Sequence, residues 1–310
     1  MNITIPIRIT HSRLLDCNLS EDLNATEYNA GTTYDALDEV YKDEAGEHKV
    51  YRSFQDSNTG NNPSTDDGTW WVEIGWTNRW KSLKDDTAEA TIAEDSTGIY
   101  YEIELASNCS EIGFMGLRCS AVTVVVKNGL TQTVFNETKL QEESYLGATW
   151  YIGDALFVDV PLTEGYTVEI TVDDPSSSDL AQIGQVILGH TSRVGRMIET
   201  STLGAEDRSR KEQDAEGNFI VIDRGQSATA SFDFNIDTAS SWIVEQILLG
   251  GRTDPRLYWE EDEDGEARID EALFIFGYME DLTIPPTANN TQCTVDVKGF
   301  SFNTSWSLAE

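Results

Sequence analysis

Basic side chains are scarce in this sequence: 21 Lys and Arg stand against 55 Asp and Glu, a formal net charge of −34. Counterion release from nucleic acid requires cationic side chains to neutralise phosphates, so the charge balance excludes a nucleic-acid partner. Anionic membrane surfaces are disfavoured for the same reason. Histidine is rarer still. His11, His48 and His190 share no metal-ligand spacing and read as surface or loop residues. The four cysteines, Cys17, Cys109, Cys119 and Cys293, include no CxxC pair, which removes a zinc ribbon and leaves buried free thiols as the expected state. There is no HExxH, GxSxG, P-loop or strand-linked GxGxxG motif, so no catalytic residue and no metal ligand is assigned. Among 55 carboxylates a pair at glycosidase-like separation arises by chance and carries no weight. No apolar run approaches the ~18 residues of a membrane span. The opening MNITIPIRIT alternates Ile with polar residues, as a strand does and a signal peptide does not. Membrane insertion is therefore not expected, and any exit from the cytoplasm is expected by a route other than secretion.

What is present suffices to fold. Hydrophobic residues make up 39% of the chain and aromatics 10%, and 310 residues suit two or three cores. The acidity fits solvation in a saline, marine medium, where mutual repulsion is screened. Its alternatives are cation sites or a basic partner. The runs Asp56–Asp67 and Trp259–Glu266 offer clustered oxygens to calcium, but neither has EF-hand spacing. Solvated loops are expected there, and no cofactor is assigned.

The chain divides into four segments, and together they predict an all-β fold. Residues 1–26 form an N-terminal strand or arm. Residues 27–78 are rich in turns, with aromatics between them, and describe a very small β module. Residues 79–194 carry successive β-branched alternations, among them Ile99–Leu105, Ala121–Lys127 and Tyr166–Val172, with a hairpin signal at Asn128-Gly129; a β-sandwich follows. Residues 195–310 add strands at Phe219–Ile222, Ala228–Ile236, Ala272–Tyr278 and Thr291–Val297, predicting a second sandwich. One helix is expected within it, capped by Thr238 or Ser240, filled by Trp242, Ile243, Val244, Ile247 and Leu248, and ended by Gly250.

The aromatics of the small module admit two readings. Sugar faces stack on Trp and Tyr rings, so exposed rings on a rigid β scaffold suit glycan binding. The same rings also serve as the core of a module poor in aliphatics. For glycan contact the candidates are Tyr34, Tyr51, Trp70 and Trp71.

The order Tyr28, Gly31, Tyr34, Asp38, Val40, Tyr51, Pro63 and Trp70-Trp71 resembles the short chitin- and cellulose-binding modules of bacterial glycosidases. Leu37 stands where that pattern has Gly, Tyr28 where it has Trp, and an extra acidic hairpin separates Val40 from Tyr51. A wider resemblance rests on Asn58-Thr59-Gly60-Asn61, Pro63, Trp70-Trp71, Ile74-Gly75 and Thr77-Asn78-Arg79-Trp80. It extends to Ile183–Gly189, which looks like the last strand of a galactose-binding-like jelly roll. Further on it takes in Asp207–Glu212, Asp214, Gly217-Asn218 and Phe276-Gly277-Tyr278. Together these look like a family of tailed-bacteriophage virion proteins in which a small module joins jelly-roll β-sandwich domains.

The resemblance implies a non-enzymatic, minor tail protein of the tail tip or baseplate, made in the host cytoplasm, released by lysis and located at the distal tail. Its implied partners are other tail proteins, further copies of itself as a homotrimer or homohexamer, and a host-surface polysaccharide. Asn78, Arg79 and Trp80 are expected to lock the module to the sandwich by packing. A free carbohydrate-binding protein or adhesin is the alternative, although it needs an export route. A polysaccharide depolymerase is a third, although no fixed-period repeat of the kind such enzymes carry is visible.

Overall fold

Ile99–Glu104, Ala121–Lys127 and Thr167–Asp173 alternate buried and half-buried side chains along nearly their whole length, the signature of strands with one face on a core. They form the middle of a five-stranded sheet, in the order Thr133–Leu140, Ala121–Lys127, Thr167–Asp173, Ile99–Glu104, Leu14–Cys17. The computed structural model describes residues 1–43, 46–85, 88–129, 132–145, 148–177, 179–198, 200–207, 209–213, 219–222, 226–237, 241–260, 274–285 and 291–300. The Asn-Gly signal lies in a longer connection than a two-residue turn: Lys127 pairs with Thr133, leaving residues 128–132 between the strands.

A ten-stranded sheet is the other large layer. Its order is Ala155–Phe157, Glu111–Met115, Gln185–Arg193, Asn2–Pro6, Arg256–Trp259, Phe274–Thr283, Thr291–Gly299, Gln226–Ile236 and Arg196–Met197, with Thr202–Asp207 also paired to Gln226–Ile236. The five-stranded sheet packs on the first three of these strands. Ile99, Tyr101, Ile103, Val122, Val124, Val126, Val168, Ile170 and Val172 meet Ile112, Phe114, Phe157, Val186 and Leu188 in one core. Each such aliphatic contributes roughly 1.5–3 kcal/mol on burial, so this face dominates the stability of the half. The architecture is all-β and sandwich-like.

Of the strands expected to build a second sandwich, Gln226–Ile236, Phe274–Thr283 and Thr291–Gly299 continue the same long sheet, whereas Phe219–Ile222 forms a separate pair with Arg210–Gln213. Asn2–Pro6 is the splice. Ile3 faces Ser192 on one side and Tyr258 on the other, and Trp259 donates its Nε1 hydrogen to Thr4 Oγ1 at 3.0 Å. Beyond the splice, Ile3, Phe232, Phe234, Tyr258, Ile275, Cys293 and Val295 form a second core with the helix Ser241–Leu249. Only part of the helix filling is as expected. Val244 and Leu248 are buried, whereas Trp242 is 65% and Ile243 44% exposed, because a surface helix turns a single stripe inward. The expected caps, Thr238 and Ser240, lie outside the described residues.

The small module is a four-stranded sheet of Thr26–Glu27, Glu39–Lys42, Lys49–Ser53 and Trp71–Trp76, beside a two-stranded pair of Thr33–Tyr34 and Asn58–Thr59. Leu37 has φ 79°, the left-handed conformation for which Gly is suited. All four cysteines are free thiols. Cys109, Cys119 and Cys293 are buried and Cys17 is half-buried.

Candidate functional site

The chain enters the sandwich from the module through Thr77-Asn78-Arg79-Trp80, and a buried polar network surrounds this tetrapeptide. Glu21 and His48 are both buried, with side chains 5% and 2% exposed. Isolated charges at such depth are prohibitively costly, so each must be paired. His48 Nδ1–H donates to Glu21 Oε1 at 2.6 Å, and Thr77 Oγ1 donates to the same oxygen at 2.8 Å. Arg79 Nη1 lies 3.2 Å from Glu21 Oε2. His48 Nε2 lies 2.8 Å from His11 Nδ1, a hydrogen bond between the two rings. The carboxyl of Glu21 feels desolvation most, which raises its pKa. The hydrogen bonds from His48 and Thr77 and the charges of His48 and Arg79 together outweigh that and hold it below the usual carboxylate range.

Rings close the network from the sandwich side. Trp80 is 1% exposed and belongs to the sandwich core, yet it stacks on His48 of the module with centroids 4.2 Å apart and planes at 20°. His11 stacks on the other rings, and Lys84 Nζ sits 4.7 Å from the Trp80 centroid. The main chain is held as well. Arg79 donates through Nε and Nη2 to the carbonyl of Leu19. Asn78 exchanges two hydrogen bonds with the backbone of Ile92, and Tyr101 Oη donates to the Arg79 carbonyl at 2.9 Å. Burial pushes the Tyr101 hydroxyl well up and the Cys17 thiol to about 11, so neither ionises near neutrality. Beneath the junction a cavity of about 280 Å³ is lined by Arg8, Thr10, Trp76, Lys84, Asp85 and Gln185, among others.

Asn78, Arg79 and Trp80 thus sit together at the junction. Glu21 and His48, the buried centre of the network, were not legible beforehand; His11 is exposed, as expected of a surface residue, and His48 stands in a loop but not at the surface. His190 is exposed, but His48 is buried because its partners come from residues 11, 21 and 80, pairings with no local sequence signal.

The sugar-stacking role expected of Tyr34, Tyr51 and Trp71 does not fit their placement. With Val40 these three form the module's core, at 7%, 6% and 2% exposure, and Trp70 is half-buried against them. Tyr34 packs edge-on to Trp71 at 5.3 Å, Trp71 Nε1 donates to the Asn61 carbonyl, and Tyr51 Oη donates to Glu47. Their faces are occupied by one another, as a module short of aliphatics requires. Exposure belongs instead to Phe54, at 69%, whose backbone N–H donates to the Trp70 carbonyl. Trp71→Ala is expected to destabilise the module by about 3–5 kcal/mol. Phe54→Ala is expected to change stability by no more than about 0.5 kcal/mol. Paired chemical-denaturation curves check both.

Asp56, Asp66 and Asp67 of the acidic loop Asp56–Asp67 accept hydrogen bonds from within the module. Asp66 Oδ2 accepts from the backbone of Gly68, Trp70 and Trp71, Asp67 Oδ1 from Thr69, and Asp56 Oδ1 from Ala36 N. Among the described residues no group of three or more His, Cys, Asp or Glu side chains is placed to hold a metal ion. The second acidic run lies, beyond Glu260, outside the described residues. No helix among them is long and apolar enough to cross a membrane. No protein-family model matches the chain, and neither the curated proteins nor the solved structures give a match.

Proposed function

We propose that this chain is a structural, non-catalytic component of a tailed-bacteriophage tail tip or baseplate, assembling with other tail proteins and with copies of itself. The observation that carries the reading is the rigid coupling of the small module to the sandwich. A binding module that samples space is tethered by a flexible linker of Gly, Ser or Pro. Here Thr77 and Asn78 are buried, and the module is bonded to the sandwich through Glu21, His48 and Arg79 and stacked on it through Trp80. Module and sandwich therefore transmit position and load as one body, which suits a part of a particle. The splice of both halves through Asn2–Pro6 extends the same rigidity to the rest of the chain. On the module, Leu37, Phe54, Val72 and Ile74 are exposed apolar side chains available to neighbouring subunits.

The test is electron microscopy of purified virions labelled with an antibody against this chain. Label at the distal end of the tail is the expected result. Absence of the chain from every virion overturns the reading and favours a free adhesin.

A further inference from the structure

The strand Thr133–Leu140 closes one end of the five-stranded sheet, and its only pairing among the described residues is with Ala121–Lys127. It is eight residues long. A row of unpaired N–H and C=O groups of that length is a template for another strand, and natural edges of this kind are usually blunted by Pro, bulges or like charges. Here its sequence TVFNETKL contains no Pro, its one irregularity lies at the start, where Val126 pairs with Phe135 and Lys127 with Thr133, and its formal charges, Glu137 and Lys139, cancel. Against a chain carrying −34, a neutral edge is a place where two copies approach with the least repulsion.

We propose that this strand pairs antiparallel with the same strand of a second copy about a two-fold axis through Thr138. The register follows from charge. An axis normal to the sheet keeps Phe135, Glu137 and Lys139, all half-buried, on one face of the combined sheet, so the centre must fall on a residue. Centred on Glu137, the two glutamates oppose each other, which is unfavourable. Centred on Asn136, each Glu137 faces Phe135 and each Lys139 faces Thr133, so neither charge meets its opposite. Centred on Thr138, each Glu137 faces the Lys139 of the other copy, giving two opposite-charge pairs. The two side chains already form a couple within the chain, Lys139 Nζ lying 3.2 Å from Glu137 Oε1, so swapping partners across the axis needs only rotamer changes. Thr138 is exposed and meets its own image, and Leu140, 72% exposed, is covered opposite Asn136. The five-stranded sheets of two copies then become one continuous sheet. This contact is isologous, so it is compatible with a hexamer of three two-folds and not with a cyclic trimer. It concerns the purified chain and holds whether or not the tail-tip reading does.

The experiment is sedimentation equilibrium of the full chain at 0.15 M salt, where screening confines the effect to near neighbours. Wild type is expected to associate in even-numbered species. Glu137→Lys sets two lysine pairs against each other and is expected to weaken association at least about tenfold, while the double reversal Glu137→Lys/Lys139→Glu restores it to within about threefold. Thr138→Lys places two like charges at the axis and is expected to give monomer, with melting temperature as the control for folding. A wild type that is monomeric at high concentration, a Glu137→Lys variant that associates unchanged, or a folded double reversal that stays dissociated overturns the proposal.

Discussion

Glu21→Ala is expected to destabilise the protein by about 3–5 kcal/mol, the usual cost of removing one member of a buried charged network. The loss exceeds that of any single hydrogen bond because three partners are stranded at once: His48 and Thr77 on one carboxylate oxygen and Arg79 on the other. Glu21→Gln keeps the shape and a hydrogen-bonding group but not the charge, and should fall between the two. The effect has a pH signature. The Glu21 carboxyl is held below its ordinary range, so its contribution is complete above the unfolded carboxylate pKa and is lost as pH falls through the lower, folded value. Urea titrations of wild type and Glu21→Ala should therefore differ most at neutral pH and converge toward acid. A difference that grows on acidification is inconsistent with this network.

The second large effect is expected at the splice. Ile3→Asp introduces a carboxylate at a fully buried position with Ser192 and Tyr258 as cross-strand neighbours. Burying an unpaired charge is among the few single changes that cost roughly 4 kcal/mol or more. Because Asn2–Pro6 holds Gln185–Arg193 to Arg256–Trp259, the variant should also lose the coupling between halves. Scanning calorimetry should show one cooperative transition in wild type and either two separated transitions or no folded baseline in the variant. A single transition shifted by only a degree or two is incompatible with the strand acting as a splice.

Much of the strand pattern was legible because period-two alternation is local. Ala121–Lys127 and Phe219–Ile222 fall where β-branched and aromatic runs place them, and Thr291–Gly299 overruns its expected end by two residues. The edge strand Thr133–Leu140 was not singled out, since half of it faces solvent and its apolar residues are few. Nor does local pattern say which strands share a sheet. Nothing near Ile3 announces Tyr258 as a neighbour, which is why two sandwiches were expected where one sheet runs through both halves. At the site, residue type misled in one respect and pattern in another. Trp71 and Tyr51 carry the rings that sugar binding uses, but in a module with a single aliphatic, Val40, in its buried core, those rings are needed inside. His48 and Glu21 are unremarkable in sequence and acquire their role only from a contact across 27 positions.

The position of Asn2–Pro6 also sets an order of events. Its Thr4 hydroxyl accepts from a tryptophan 255 residues further along the chain, and its two flanking strands come from the middle and the late part of the sequence. On a ribosome that adds about 5–20 residues per second, this segment waits many seconds for its second neighbour. The module and the five-stranded sheet have most of their partners by residue 173, so they are able to gather first, while the apolar face of the strand stays exposed. The ladder between Asn2–Pro6 and Arg256–Trp259 therefore closes only after the long intervening stretch of chain has been made, and chaperone dependence should concentrate in that interval.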